Sequence, residues 1–190
     1  MDLVRTKGYA ATRVEDICAA AGVSKGSFFH HFASKEDAAE AAAAQWATHV
    51  ETLFGAAPFR AHPDPLQRLL GYVDFRMSIL STPVIGCGCF AATLVQEVHQ
   101  THPRLTAAAA VAIDAHGEDL AALAAEALAS RGITTEWSAQ SLADHVQAVV
   151  QGGLILAKAA GDPEPARRAL AHLRRYLEQI FESSVPRSPL

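Results

Sequence analysis

Residues 12–37 read TRVEDICAAAGVSKGSFFHHFASKED, and this stretch decides the fold of the N-terminal region. Thr12 and Glu15 have the spacing of a capping box, in which each side chain bonds to the other residue's backbone amide. Gly22 stands where a helix end favours a residue that tolerates positive φ. Between these signals, apolar side chains recur at helical spacing, at Val14, Ile17, Cys18 and Ala21. The pattern therefore predicts a short first helix that ends at Gly22.

Two further helix starts follow within the same stretch. Ser24 is placed to cap a second helix, whose buried side would carry Phe28 and Phe32, four residues apart. Ser34 is placed to cap a third, with acidic residues in its first turn, where the helix dipole favours negative charge. Two short helices joined by a tight turn containing glycine are typical of a helix-turn-helix.

The second of these helices offers small and polar side chains toward solvent. Such side chains allow a helix to lie close to the base edges of the major groove, with a cation reaching a base or a phosphate. We expect Thr12 and Lys35, at the ends of the stretch, to add contacts, Lys35 to a phosphate. The predicted DNA-binding residues are Thr12, Ser24, Lys25, Gly26, Ser27, Phe29, His30 and Lys35.

Residues 8–41, GYAATRVEDICAAAGVSKGSFFHHFASKEDAAEA, resemble the DNA-binding domain of the TetR (tetracycline-repressor) family. The resemblance implies a homodimeric repressor that binds a palindromic double-stranded DNA operator and is released by a small-molecule effector. Phe29 and His30 stand where the family often has tyrosine, so Phe29 lacks a hydroxyl for a phosphate contact, whereas His30 could replace one. Only seven residues precede Gly8, so we expect either that the true start lies upstream of Met1 or that the first helix is short.

Composition favours helices throughout the chain. Half of the 190 residues are hydrophobic, and alanine alone makes up about a fifth. We therefore expect an all-α fold of about nine helices, with a helix-turn-helix domain at 1–45 and a helical ligand-binding and dimerisation domain at 46–190. No apolar run is long enough to span a bilayer, and three cysteines without a secretion signal favour a reducing cytoplasm.

The net charge of −4 is unlike that of a nonspecific nucleic-acid binder. Residues 1–45 carry five Lys and Arg against six Asp and Glu. DNA binding would therefore rest on local geometry and a few phosphate contacts rather than on a broad basic surface.

The last two predicted helices carry an apolar seam at three- and four-residue spacing. The seam would either pack inside the chain or form a four-helix dimer interface with a second copy, and the resemblance favours the dimer. The interface residues that we predict are Leu142, Val146, Val149, Gly153, Leu156, Leu170, Leu173, Leu177 and Ile180.

Candidate effector contacts follow residue 45. Arg76 lies on an apolar helix, where it could hold a carboxylate ligand or reach solvent along its own aliphatic stem. The predicted ligand-binding residues are Trp46, His49, Phe54, Tyr72, Phe75, Arg76, Cys87, Phe90, Thr93, His116, Trp137 and His145.

Cys87 and Cys89 leave three interpretations open. They could be small buried hydrophobes, a redox or electrophile sensor activated at a helix N-terminus, or part of a metal site with His99 or His102. The last lacks any finger-like spacing, and we predict neither metal nor cofactor.

No nucleophile elbow, HExxH motif, P-loop or dinucleotide fingerprint occurs in the sequence, which argues against an enzyme. A small helical enzyme and a helical binding protein that has lost its operator remain as alternatives.

Overall fold

The computed structural model describes residues 1–81 and 88–183, and within these ranges the chain folds into nine α-helices and no strand. The predicted all-α class is thereby confirmed. None of the described helices is both long and apolar enough to cross a membrane. The helices are α1 (Asp2–Lys7), α2 (Val14–Ala21), α3 (Lys25–His31), α4 (Lys35–Gly55), α5 (Pro65–Ser78), α6 (Phe90–Val98), α7 (Pro103–Arg131), α8 (Ala139–Ala160) and α9 (Glu164–Ser183).

Most helix ends lie where the local signals placed them. The Ser24 hydroxyl accepts a hydrogen bond from Ser27 N at 3.1 Å, and Ser34 caps α4 through Asp37 N at 3.0 Å. Gly22 closes α2 with a φ of 67°. These caps satisfy backbone amides that a helix start leaves without partners, so they fix the starts of α3 and α4.

The predicted capping box at the start of α2 is wrong by one residue. Arg13 is the residue before the helix, and Asp16 Oδ2 accepts from its backbone N at 2.8 Å. The Thr12 hydroxyl instead donates to Gly8 O at 2.6 Å, and its side chain is buried. Thr12 therefore closes the turn that precedes the helix, which leaves Asp16 rather than Glu15 to complete the cap.

The chain divides into two compact units, with one boundary inside α4, one inside α7 and a third between residues 87 and 88. The first unit contains Met1–Thr52 and Gly88–Ala115, so α6 shares a core with the N-terminal helices. Tyr9, Ala43, Phe90 and Leu94 belong to that core.

The second unit contains the described parts of residues 53–87 and 116–190. Its α8 and α9 pack closely at Gly153, where an added Cβ would lie only 3.3 Å from the Ala166 Cα. A short 3₁₀ turn, Pro58–Ala61, occupies the stretch before α5 and buries Phe59. Asp64 caps α5 through Leu66 N at 3.0 Å.

Candidate functional site

Helix α3 presents a mixed polar and aromatic surface above a buried aromatic anchor. Phe28 is 4% exposed, and its ring centroid lies 5.5 Å from that of Phe32. Phe29 projects outward and is 52% exposed. Of the other predicted contact residues in this helix and its cap, Ser27 is half-buried, and the exposed ones are Ser24, Lys25, Gly26 and His30. The predicted groove-facing surface thus comes together on one short helix.

Lys25 forms an ion pair with Glu15 of α2, and both side chains are more than half exposed. The hydrogen bond from Lys25 lowers the pKa of the Glu15 carboxyl. Exposed pairs of this kind contribute little stability, so Lys25 can leave Glu15 for a base or a phosphate at small cost.

Lys35 and Thr12 lie differently from the α3 residues. The Lys35 ammonium donates to the backbone oxygens of Tyr9 and Thr12, each at 3.1 Å, and lies 4.0 Å from the centre of the Tyr9 ring. Burial of Tyr9, with Glu36 and Glu40 nearby, raises the pKa of its hydroxyl. Lys35 is thus engaged within the chain, and the buried Thr12 side chain presents no surface to DNA in this structure.

Five predicted ligand-binding residues meet in the second unit, around the guanidinium of Arg76. Arg76 Nε donates to the Tyr72 hydroxyl at 3.0 Å, and Nη2 lies 2.8 Å from His116 Nε2. The guanidinium carbon lies 4.3 Å from the centre of the Phe54 ring. Phe75 meets Phe54 edge to face at 5.4 Å between centroids. We call these five residues the Arg76 cluster.

His116 acts as the neutral acceptor of the Arg76 cluster. A guanidinium only donates, so the His116 Nε2 that faces Arg76 carries no proton. The Tyr72 hydroxyl lies 2.8 Å from the same nitrogen and completes a triangle of three polar groups. Burial first, and the charge of Arg76 second, lower the pKa of His116 to about 3. The ring therefore stays neutral at physiological pH and accepts from Arg76 without balancing its charge.

A second arginine nearby is already neutralised. Arg60 pairs with Asp119, and its Nε donates to Phe54 O at 3.1 Å. Arg76, by contrast, has no carboxylate within 4.0 Å in the part of the chain that the structure describes. A half-buried cation held only by neutral groups and aromatic faces is suited to an anionic ligand.

The remaining predicted ligand-binding residues lie apart from the Arg76 cluster. Trp46, His49 and Phe90 form an aromatic group in the first unit, with centroids 5.5 and 6.2 Å apart. His145 is exposed and contacts the Tyr176 ring at 5.2 Å.

The last three predicted ligand-binding residues are Trp137, Thr93 and Cys87, and the sensor and metal interpretations of the cysteines concern the region around Cys87. Trp137 is half-buried just before α8, and the Thr93 hydroxyl donates to Cys89 O at 2.9 Å. Cys87 lies outside the described residues, and Cys89 Sγ accepts from Ala92 N at 3.5 Å. Within residues 1–81 and 88–183, no group of His, Cys, Asp and Glu is arranged to hold a metal ion.

The predicted dimer residues separate by burial. Val149 and Ile180 are half-buried, and Leu156 is 56% exposed, beside the exposed Ile155 and Tyr176. The other six are buried within the one chain: Leu142, Val146, Gly153, Leu170, Leu173 and Leu177.

The sequence interpretation missed two residues beside the Arg76 cluster, Phe59 and Arg60. Phe59 contacts Tyr72 with centroids 6.0 Å apart. Both lie in the 3₁₀ turn Pro58–Ala61, which precedes α5. The sequence Pro-Phe-Arg, with an aromatic directly after a proline, was the available signal.

Two family models match the chain. "Bacterial regulatory proteins, tetR family" matches residues 1–42, and "Tetracyclin repressor-like, C-terminal domain" matches residues 65–173.

Similarity to individual proteins, in sequence and in structure, indicates the same family. The chain is 27% identical over 159 residues to the transcriptional regulator AcuR of Cereibacter sphaeroides, covering 84% of this chain and 73% of AcuR. It is 25% identical over 180 residues to the HTH-type transcriptional repressor DhaR of Mycobacterium sp. (strain GP1), covering 95% and 85%. A TetR transcriptional regulator from Chloroflexus aurantiacus has a similar structure, with a TM-score of 0.81, 30% identity and coverage of 94% and 89%. The chain belongs to the TetR family of transcriptional regulators, whose members bind DNA and are not enzymes.

Proposed function

We propose that the chain is a ligand-responsive repressor that binds a palindromic operator as a homodimer and is released by a small molecule. Residues 1–45 act as the DNA-binding domain and residues 46–190 as the ligand-binding and dimerisation domain. The observation that carries this proposal is α3, where small polar side chains and Lys25 stand exposed above the buried Phe28.

Within α3, Lys25 and Ser27 read base edges, and His30 contacts the phosphate backbone of the DNA. Lys25 is free to exchange the Glu15 carboxylate for a base or phosphate, because that pair is exposed to solvent. Ser27 is half-buried, so its hydroxyl can reach only a base that lies against the helix. Gly26 allows the close approach that such a contact needs.

Pairing of two copies uses the exposed apolar side chains of α8 and α9. Ile155 is 50% exposed, Leu156 56% and Tyr176 43%. An apolar surface of this kind indicates a binding partner, and a second copy supplies the same surface in return. A dimer places two recognition helices about 34 Å apart, on successive major grooves of a palindromic operator.

The effector binds at the Arg76 cluster and is a small organic anion. Arg76 lacks a carboxylate partner in the described chain, while Phe54 and Phe75 supply apolar walls. A ligand that binds this cluster more tightly in one conformation of the dimer changes operator affinity by the same coupling free energy, typically about 1–3 kcal/mol.

Selection of duplexes from a random DNA library tests operator binding, because the library contains every candidate operator sequence. We expect the wild type to enrich a palindrome, and Lys25→Met to bind that palindrome more weakly. If the wild type enriches no duplex, the chain is a helical binding protein without an operator.

Light scattering during size-exclusion chromatography tests the pairing. We expect Leu156→Asp to give monomers and Val111→Asp to remain dimeric. Val111 is the matched control because it is 63% exposed and lies on α7. Dimers in both variants would place the interface elsewhere.

Matched ligand pairs test the effector class. Propanoate and benzoate are compared with propanamide and benzamide. Each compound is added to the complex of the chain with the selected duplex, and release of DNA is followed by fluorescence anisotropy. We expect only the acids to release DNA, and Arg76→Met to abolish the difference. Equal release by an acid and its amide would exclude a role for the Arg76 charge.

A further inference from the structure

The turn between α1 and α2 is bonded by charged side chains from two other helices, α4 and α6. Glu97 Oε2, from α6, accepts hydrogen bonds from Tyr9 N at 2.5 Å and Ala10 N at 3.2 Å. Lys35, from α4, donates to the backbone oxygens of Tyr9 and Thr12. All of these residues belong to the first unit. The anion thus binds the amides of the turn, and the cation binds its carbonyls.

Gly8 makes the approach of Glu97 possible. Its φ of 87° is in the left-handed region that favours glycine. A Cβ added at Gly8 would overlap Glu97 Oε1. The carboxylate therefore lies directly against the backbone, and any larger residue at position 8 would displace it.

The Tyr9 side chain joins the same arrangement. It is 4% exposed, with the Lys35 ammonium over its face and the His102 ring 5.3 Å away, edge to face. At the other end of α6, Arg5 Nε donates to Gly88 O at 2.7 Å. Both ends of the α6 segment are therefore bonded to α1 or to the turn that follows it.

We propose that Glu97 is a positioning residue for DNA binding: its carboxylate fixes the α1–α2 turn, and with it the orientation of α2 and α3. The proposal rests on the proposed function. Hydrogen bonds from two successive amides to a carboxylate are charge-assisted and directional, so they hold the turn in one place. The α2 helix begins directly after the turn, at Val14.

This contact also joins the two parts of the sequence that the family models match. Glu97 lies in the segment 65–173, and the turn lies in the segment 1–42. A displacement of α6 would pull on Tyr9 and Ala10 through the carboxylate. By reciprocity, DNA that holds α2 and α3 in place also holds α6.

Hydrogen–deuterium exchange measured by mass spectrometry tests the hold on the full-length chain. The variants are Glu97→Ala, which removes the acceptor, and Glu97→Gln, which keeps a neutral one. Glu118→Ala, on the exposed surface of α7, is the matched control. All measurements use a temperature at which denaturation curves show every variant to be folded.

We expect exchange in residues 8–12 to rise about tenfold in Glu97→Ala, with an intermediate rise in Glu97→Gln and none in the control. Affinity for a duplex selected by the wild type should fall about tenfold in Glu97→Ala. The duplex should protect residues 90–98 from exchange in the wild type and the control, but not in Glu97→Ala.

Unchanged exchange in residues 8–12 would overturn the proposal, whatever the DNA affinity. Raised exchange with wild-type DNA affinity would equally overturn it, because the turn would then be held without positioning α3. If the wild type selects no duplex, the proposed function fails, and exchange in the free chain alone decides whether Glu97 holds the turn.

Discussion

Replacement of Lys35 by methionine separates a phosphate contact from a role inside the fold. The ammonium makes two hydrogen bonds of 3.1 Å to backbone oxygens and lies over the Tyr9 ring. Hydrogen bonds that involve a charged group contribute roughly 1.5–3 kcal/mol when buried. Since Lys35 is half-buried, we discount this range and expect Lys35→Met to lower the free energy of unfolding by about 1–2 kcal/mol. For a chain of this size the melting temperature should fall by roughly 2–8 °C.

The salt dependence of DNA binding gives the second measurement. Each lost phosphate contact lowers the slope of log affinity against log salt by about 0.9. Between 50 and 200 mM salt, this change alters the ratio of wild-type to variant affinity by about 3.5-fold. If Lys35 contacted a phosphate, Lys35→Met would show a change of this size. The Lys35→Met ratio should stay constant with salt, because the variant loses orientation rather than a phosphate.

Thermal unfolding and fluorescence anisotropy at several salt concentrations provide both quantities. A 3.5-fold change in the Lys35→Met ratio, together with an unchanged melting temperature, would refute the interior role. It would restore the phosphate contact that the sequence predicts for Lys35.

Three further measurements address other parts of the structure. The pKa of His116 is lowered to about 3 in the folded protein, whereas in the unfolded chain it is about 6.5. Below pH 6.5 the unfolded chain therefore takes up a proton that the folded protein does not, and the free energy of unfolding falls as the pH falls. When the pH is lowered from 7 to 5.5, the free energy of unfolding measured in urea should fall by about 1 kcal/mol more in the wild type than in His116→Gln. Equal decreases would contradict the low pKa of His116. Gly152→Ala should raise the free energy of unfolding by about 0.5–1 kcal/mol, since no atom lies within 4 Å of the added Cβ. Gly153→Ala should be less stable than Gly152→Ala by about 1–3 kcal/mol, because the added Cβ would contact α9. Equal stability of the two variants would contradict the close approach of α8 and α9. N-ethylmaleimide, followed by peptide mapping, should label half-buried Cys89 faster than buried Cys18, and the reverse order would contradict their burial.

The helix boundaries were predictable because the signals that set them are local. Ser24 and Ser34 cap their helices through amides three residues further on. Gly22 and Gly161 end helices with a positive φ that other residues rarely adopt. Each of these positions is decided by its immediate neighbours, so tertiary contacts do not enter.

The error at Thr12 shows where local signals stop being sufficient. Two overlapping signals compete there, one from Thr12 to Glu15 and one from Arg13 to Asp16. The bond from the Thr12 hydroxyl to Gly8 O decides between them. That bond depends on the turn before the helix, which itself depends on Glu97, 88 residues away from Tyr9 in the sequence.

The Arg76 cluster was predictable only in part, for a similar reason. Tyr72 and Arg76 are four residues apart, so helical periodicity places them on one face. His116 joins them from 40 residues beyond Arg76. Its residue type is visible in the sequence, but its neutral state follows from burial and from the donor that it faces. Neither of these two properties can be read from spacing.

Charge pairing within the N-terminal helices affects how the family's DNA-binding activity operates in this chain. Lys7 bonds to Asp16 at 2.6 Å, and Lys25 pairs with Glu15, so two of the five basic groups in residues 1–45 are balanced by acids on α2. Lys35 is bonded within the chain as well. Nonspecific attraction to phosphates is therefore weak, and in the proposed DNA complex Lys25 gives up the Glu15 carboxylate. We therefore expect the free energy of binding to depend on how well α3 fits the groove and, in the proposed dimer, on two copies binding at once. A contact that sets the orientation of α3, as we propose for Glu97 at the α1–α2 turn, would then control affinity without touching DNA.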